Sequence, residues 1–137
     1  FVLDGHGKFL LLKRSAKDSH YPGLWECPGG KLDEGQDLTH AQEREVLEEA
    51  NLLVVPTMPL VYCDSYVIGI GRYVGHTYVV LFSITKILGG DLKLSHEHDD
   101  SAWVTYDEAF KYELTPEVHK AVIVLKSHLT LKEAAIA

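Results

Sequence analysis

Residues 29–52, GGKLDEGQDLTHAQEREVLEEANL, restrict the fold of this chain more than any other segment. A glycine pair opens the stretch, and a helix follows in which Glu45, Glu48 and Glu49 stand at i, i+3 and i+4. At about 100° per residue, their side chains fall within an arc of roughly 100°. Like charges so spaced destabilise an isolated helix by roughly 0.2–0.5 kcal/mol per pair. A hard cation with oxygen ligands turns that repulsion into coordination. The same acids also suit a solvated helix face, but two features weigh against it. Leu38 and Ala41 share the helical side of the acids, and Gly29-Gly30-Lys31 lies just ahead of the helix. A glycine turn brings a backbone carbonyl near a cation, or N–H groups near phosphate oxygens, with no Cβ in the way. Glycine turn and acid helix together point to metal-assisted hydrolysis of a diphosphate linkage.

The helix is predicted over 37–50. Asp37 suits an N-cap, where its carboxylate accepts from free N–H groups of the first turn. Asn51 follows the last turn, in the left-handed position that Gly prefers and Asn tolerates. Ahead of it, 1–3 and 9–13 read as strands around the turn Asp4-Gly5-His6-Gly7. Residues 17–23 form a polar loop and 24–28 a short extended piece. Beyond the helix, 53–55 and 60–70 are β-rich, with Pro56 and Pro59 interrupting them. Gly69 and Gly71 bracket a turn into a strand over 73–87, 102–104 form a short strand, and Pro116 opens a last helix running to about Leu131. Strands on both sides of a central helix, plus a terminal helix, predict an α/β fold, a mixed sheet sandwiched between helices.

A length of 137 residues suits one domain spanning 1–137. The chain opens on Phe1-Val2-Leu3, in what reads as a strand, so the N-terminal strand is expected to be truncated and the true start to lie upstream. No apolar run approaches the roughly 20 residues of a membrane span. A net charge of −7 argues against a nucleic-acid polymer as partner, since such binding rests on clustered Lys and Arg. A small phosphorylated ligand remains compatible, because a bound cation supplies the positive charge. Cys27 and Cys63 lack metal-ligand spacing and read as buried thiols in a reducing cytoplasm.

The segment resembles the signature of the Nudix hydrolases: Gly, five residues, Glu, seven residues, then Arg-Glu-apolar-X-Glu-Glu-X-Gly-apolar. Gly30, Arg44, Glu45, Val46, Glu48, Glu49 and Leu52 match at the right intervals. The lead-in Gly23-Leu24-Trp25-Glu26-Cys27-Pro28-Gly29 is similar to that of the MutT-like branch. Two positions depart, Gln36 where the family has Glu and Asn51 where it has Gly. The family's acid at the first helps to orient the motif Arg. An amide there can still accept a hydrogen bond but loses charge assistance, for which Glu34 or Asp37 are the nearby substitutes.

The resemblance implies a Nudix-type α/β/α sandwich and a Mg²⁺- or Mn²⁺-dependent cleavage of a diphosphate bond in a nucleoside triphosphate or related nucleoside diphosphate derivative. It implies Glu45 and Glu49 as principal metal ligands, Glu48 as third ligand or base, and the Gly30 carbonyl as a further ligand. Arg44 would orient a neighbouring Glu. The family also brings a Glu or His to the metals from the loop that here reads Ser95-His96-Glu97-His98-Asp99-Asp100, which makes Glu97 a catalytic candidate, although a plain polar loop suits those residues as well. His96 and His98 form a weak zinc-like pair. Trp103 reads as core, and Trp25 as packing under the glycine turn or as a base-stacking ring. Lys13, Arg14 and Lys31 lie near the entrance by chain position, and Tyr62, Tyr66, Tyr73 and Tyr78 read as packing groups beside the cleft. The expected partner is a small nucleotide, with no nucleic-acid polymer and no membrane, and the protein a cytoplasmic monomer or homodimer. The alternatives are an ADP-ribose or nucleotide-sugar pyrophosphatase and a catalytically weak Nudix-fold binding module.

Overall fold

A central strand buried on both faces organises the molecule. In the computed structural model, which describes residues 1–128 (of Pro59, the backbone only), β2 runs Phe9–Arg14, and Phe9 to Leu12 are fully buried. Side chains alternate along a strand, so Phe9 and Leu11 join one core while Leu10 and Leu12 join another. The first core also holds Leu3, Phe82, Ile84, Val104, Val118, Val122 and Leu125. The second holds Val2, Val46, Ala50, Leu52 and Val54. Strand and helix residues contribute to each, which gives the expected α/β/α sandwich.

Around β2, β1 (Val2–Leu3), β3 (Trp25–Glu26) and β6 (His98–Val104) all pair antiparallel. The sheet continues from β1 to β5 (Thr77–Gly90), which is parallel to it, and ends at β4 (Leu52–Val67). The sheet is therefore mixed. The first helix, α1, spans Leu38–Ala50. Asp37 caps it by accepting from His40 N–H at 2.8 Å and also pairs with the His40 ring. Asn51 sits at φ 57°, with its N–H on Leu47 O at 3.0 Å. Both helix ends lie where the capping residues predict.

Several boundaries differ from the sequence reading. Pro56 and Pro59 do not interrupt the chain between two strands. β4 is continuous, and the prolines fall at its register shifts against β5, which an edge strand tolerates because its outer side needs no ladder bonds. Strand β5 starts at Thr77 rather than Tyr73, since Gly71 and Gly75 take positive φ (88° and 84°) and extend the turn. Strand β6 starts at His98, four residues earlier than expected. A short helix α2 (Tyr106–Ala109) was not foreseen, although Thr105 and Glu108 form a capping box there. Helix α3 spans Pro116–His128, and the expected extension to Leu131 lies outside the described residues. Cys27 is buried, but Cys63 is exposed, because it pairs with exposed Leu81 on the face of the β4–β5 hairpin opposite Tyr62 and Phe82, which pack on the first core. Trp103 is half-buried and packs on the second core.

Candidate active site

Helix α1 lies on the sheet through Val46 and Ala50, and this packing decides the fate of its three acids. Glu49 is 4% exposed, whereas the side chains of Glu45 and Glu48 are 14% and 57% exposed. Their order follows from their angles to the packed face. Glu49 turns toward the sheet, where the Gly29 N–H donates to its Oε2 at 3.1 Å. Glu45 rests against Gly30 so closely that a Cβ at that position would overlap its carboxylate. Glu48 faces outward.

Arg44 ties the glycine loop to the helix. Its Nη1 lies 3.0 Å from Glu45 Oε1 and 3.3 Å from Glu48 Oε2. Its Nη2 lies 3.3 Å from Asp33 Oδ2 and donates to Gln36 Oε1 at 3.2 Å and to Lys31 O at 3.4 Å. Gln36 therefore accepts from Arg44 as its position requires. The compensating charge comes from Asp33 rather than from Glu34 or Asp37, and Asp37 is occupied in capping the helix. Gln36→Glu is accordingly expected to raise turnover or leave it unchanged, because Arg44 gains a second anionic partner on the loop. Steady-state kinetics of the variant check this, and a fall of more than about tenfold would show a network built around the amide.

The loop ahead of β6 reaches the same place. Between Lys13/Asp100 and Arg14/His98 the β2–β6 register slips, leaving Asp99 as an extra residue, and bulges of this kind re-aim neighbouring side chains. Glu97 is anchored by its carbonyl, which accepts from Ser15 N–H at 2.9 Å. Glu49, Glu97 and His98 offer ligand atoms that all lie within 4.8 Å of one another. His98 is 6% exposed. Its Nε2 lies 2.9 Å from Glu26 Oε1, and among the described residues its buried Nδ1 has no partner. Glu26 Oε2 in turn accepts from Arg14 Nη1 at 2.8 Å.

The electrostatics mark a site short of positive charge. Burial pushes the Glu49 carboxyl up to about 9, and the neighbouring carboxylates Glu26, Glu45 and Glu97 push the same way against the Gly29 N–H. Burial, followed by the charges of Glu48 and Glu97, also raises Glu45 despite Arg44. A divalent cation fits this donor set. The carboxylates already converge, and a cation would relieve the desolvation and repulsion that raise Glu45 and Glu49.

Of the residues singled out from the sequence, Glu49 and Glu97 come together directly. Glu45 and Gly30 adjoin them, and Arg44 braces the loop. Glu48 is on the rim, paired with Arg44. His96 is outside the three-residue group. Arg14 is engaged by Glu26 and Asp18, and Trp25 packs edge-on against Tyr112 at 4.8 Å. Lys31 Nζ lies 5.6 Å from the centre of the Tyr73 ring. Tyr66 and Tyr78 stack on each other at 5.2 Å, and Tyr62 packs on Phe82. Sequence reasoning missed Glu26 and the structural part of His98. The only signal was strand pairing, since β2 brings Leu12 opposite Glu26 and Arg14 opposite His98.

A family model described as the NUDIX domain matches residues 1–125. The chain is 25% identical over 128 residues to the nucleoside triphosphatase NudI of Escherichia coli O81 (strain ED1a), covering 88% of this chain and 89% of that protein. Among solved structures it is similar to a C. elegans Ap4A hydrolase in a binary complex, with 27% identity, 88% of this chain and 84% of that one covered, and a TM-score of 0.66. A NUDIX hydrolase from Nitrosomonas europaea shares the fold at 21% identity, with 99% and 90% covered and a TM-score of 0.72.

Proposed function

The chain belongs to the Nudix family of hydrolases, and from that premise we propose that it cleaves a diphosphate bond in a nucleoside triphosphate or a related nucleoside diphosphate derivative, using Mg²⁺ or Mn²⁺. The convergence of buried Glu49 with Glu97 and His98, beside the Gly29-Gly30 pair, carries this reading. Glu45, Glu48, Glu49 and the Gly30 carbonyl would hold the cation. Bound there, a cation would supply positive charge to the phosphate oxygens and lower the pKa of the attacking water. Arg44 acts as a positioning residue, holding Glu45 and Glu48 while fixing the loop through Gln36 and Lys31. Glu97 accepts the proton of the attacking water, with Glu45 or Glu48 as the alternative acceptors.

The NudI relative favours a nucleoside triphosphate as substrate. The net charge of −7 favours a small phosphorylated ligand that arrives with its cation over a nucleic-acid polymer. Among the described residues no helix is long and apolar enough to cross a membrane. The free thiols Cys27 and Cys63 support the reading of a cytoplasmic protein, as a monomer or homodimer. Gln36 in place of the family's Glu supports a second reading, a catalytically weak nucleotide-binding module. A panel of nucleoside triphosphates, dinucleoside polyphosphates, ADP-ribose and nucleotide sugars, assayed with Mg²⁺ and with Mn²⁺ for phosphate and pyrophosphate separately, distinguishes these. No turnover of any member would overturn the hydrolytic reading.

Glu97→Ala is expected to lower kcat about tenfold or more with little change in substrate affinity, because a proton acceptor acts mainly in the transition state. Unchanged kcat on the nucleotide found by the panel would return Glu97 to a polar-loop role.

A further inference from the structure

Residues 61–67, VYCDSYV, read nearly the same in both directions. About Asp64, Cys63 mirrors Ser65, Tyr62 mirrors Tyr66 and Val61 mirrors Val67. They form the last part of β4, which ends the sheet, and among the described residues no strand pairs with its outer side. Such an edge offers unpaired N–H and C=O groups to a second strand, and proteins block it with Pro, bulges or Lys. The first part of β4 is blocked in this way, by Pro56, Pro59 and the register shifts before Tyr62. From Tyr62 to Val67 the register against β5 is unbroken, with no Pro and no Lys.

The hairpin fixes which backbone groups face out. Ile68 N–H donates to His76 O at 2.9 Å, and Tyr66, Asp64 and Tyr62 continue the same pairing along β5. Backbone groups alternate sides along a strand, so those of Cys63, Ser65 and Val67 point away from β5. The Ser65 N–H accordingly donates to Asp64 Oδ1 at 2.8 Å instead of to β5. In an antiparallel pair of two β4 strands centred on Asp64, Cys63 of each copy faces Ser65 of the other as a hydrogen-bonded pair. Tyr62 and Tyr66 then meet at the closer, non-hydrogen-bonded positions. The register that mirrors the side chains is therefore also one in which outward donors meet outward acceptors.

Charge favours the same arrangement. Each copy carries a net −7, so two copies approach best across a face that adds no charge of its own. Cys63, Ser65 and Val67 are exposed, Val67 to 65%, and they share an uncharged face with exposed Thr77, Val79 and Leu81. Asp64 is the one charged residue of the segment, and Lys120 Nζ lies 3.2 Å from its Oδ2.

We propose that residues 61–67 are the interface of a homodimer, in which two copies pair antiparallel about a two-fold axis at Asp64 and join their sheets into one. A two-fold interface requires a self-complementary surface, which this segment is. Strand addition draws its affinity from main-chain bonds, and the mirrored side chains select a second copy over an unrelated strand. The interface is small, so the dimer is weak and concentration-dependent. The proposal stands apart from the hydrolytic reading, since association is measurable whether or not a nucleotide is cleaved.

Sedimentation velocity of the wild type up to about 100 μM is expected to show a reversible monomer–dimer equilibrium, as befits a small interface. Ser65→Pro removes an outward N–H and leaves the bonds to β5 in place, so it should weaken association about tenfold or more. Val67→Lys keeps the backbone, alters an exposed side chain and puts a charge on the edge. It should weaken association similarly with an unchanged melting temperature, which keeps the test open if the proline disturbs folding. Mild oxidation of Ser65→Cys should link two chains covalently, because the Cα separation of about 5.5 Å in a hydrogen-bonded pair suits a disulfide to Cys63 of the other copy. Lys111→Cys, between α2 and α3, should not link at the same concentration. A wild type that stays monomeric at about 100 μM would leave this edge to another partner and overturn the proposal. A dimer of full affinity in Val67→Lys, or equal linking of Ser65→Cys and Lys111→Cys, would overturn it as well.

Discussion

Glu49→Gln is expected to lower turnover at least about 100-fold while leaving the fold intact, an effect on the scale of losing a group that stabilises transition-state charge. The substitution keeps size and shape, and its amide oxygen can still accept from the Gly29 N–H. What it removes is the negative charge at the most buried point of the carboxylate cluster, next to Glu97 and His98. Glu45 and Glu48 cannot replace it, because the first rests against Gly30 and both are paired with Arg44. Steady-state kinetics at saturating Mg²⁺ and circular dichroism of the variant provide the check. Near-normal turnover would remove Glu49 from the metal site.

The second large effect is on stability and its pH dependence without metal. An unfolded Glu titrates near 4.5, whereas Glu49 in the folded protein titrates at about 9. Between those values the native state holds a proton that the unfolded chain has released. Stability therefore falls as pH rises through that window, by up to about 1.4 kcal/mol per pH unit for one proton. Glu45, raised largely by burial, contributes with the same sign. In chelator-treated protein, the melting temperature of the wild type is expected to fall from about pH 5 to about pH 9 more steeply than that of Glu49→Gln, and the difference between the two isolates this group. Excess Mg²⁺ should raise the wild-type melting temperature more at the alkaline end, where the carboxylate is cheaper to ionise, and scarcely affect Glu49→Gln. Parallel pH profiles for the two proteins would show that Glu49 is not held protonated.

Much of helix α1 is legible from local residues. Asp37 and Asn51 mark its ends because capping depends on a few neighbouring backbone groups, and the spacing of Glu45, Glu48 and Glu49 fixes their relative directions. The strand over 9–13 is likewise legible, whereas its cover on both faces comes from the packing of the two cores. Less legible were Pro56 and Pro59, whose tolerance depends on β4 being at the sheet edge, and Cys63, whose exposure depends on which face of the β4–β5 hairpin meets the first core.

A capped helix with three acids on one side and a glycine pair before it follows from local residues alone, since periodicity and backbone preference act over a few positions. Long-range packing decided that Glu49 is buried while Glu48 is exposed, because the helix period sets angles between side chains but not which angle meets the sheet. It also decided that Glu97, His98 and Glu26 stand beside Glu49. Those residues come from strands and loops distant along the chain, and their approach depends on non-local pairing of β2 with β3 and β6 and on the slip in register at Arg14. Register of this kind is set by burial on both faces of the sheet at once, which no single segment contains.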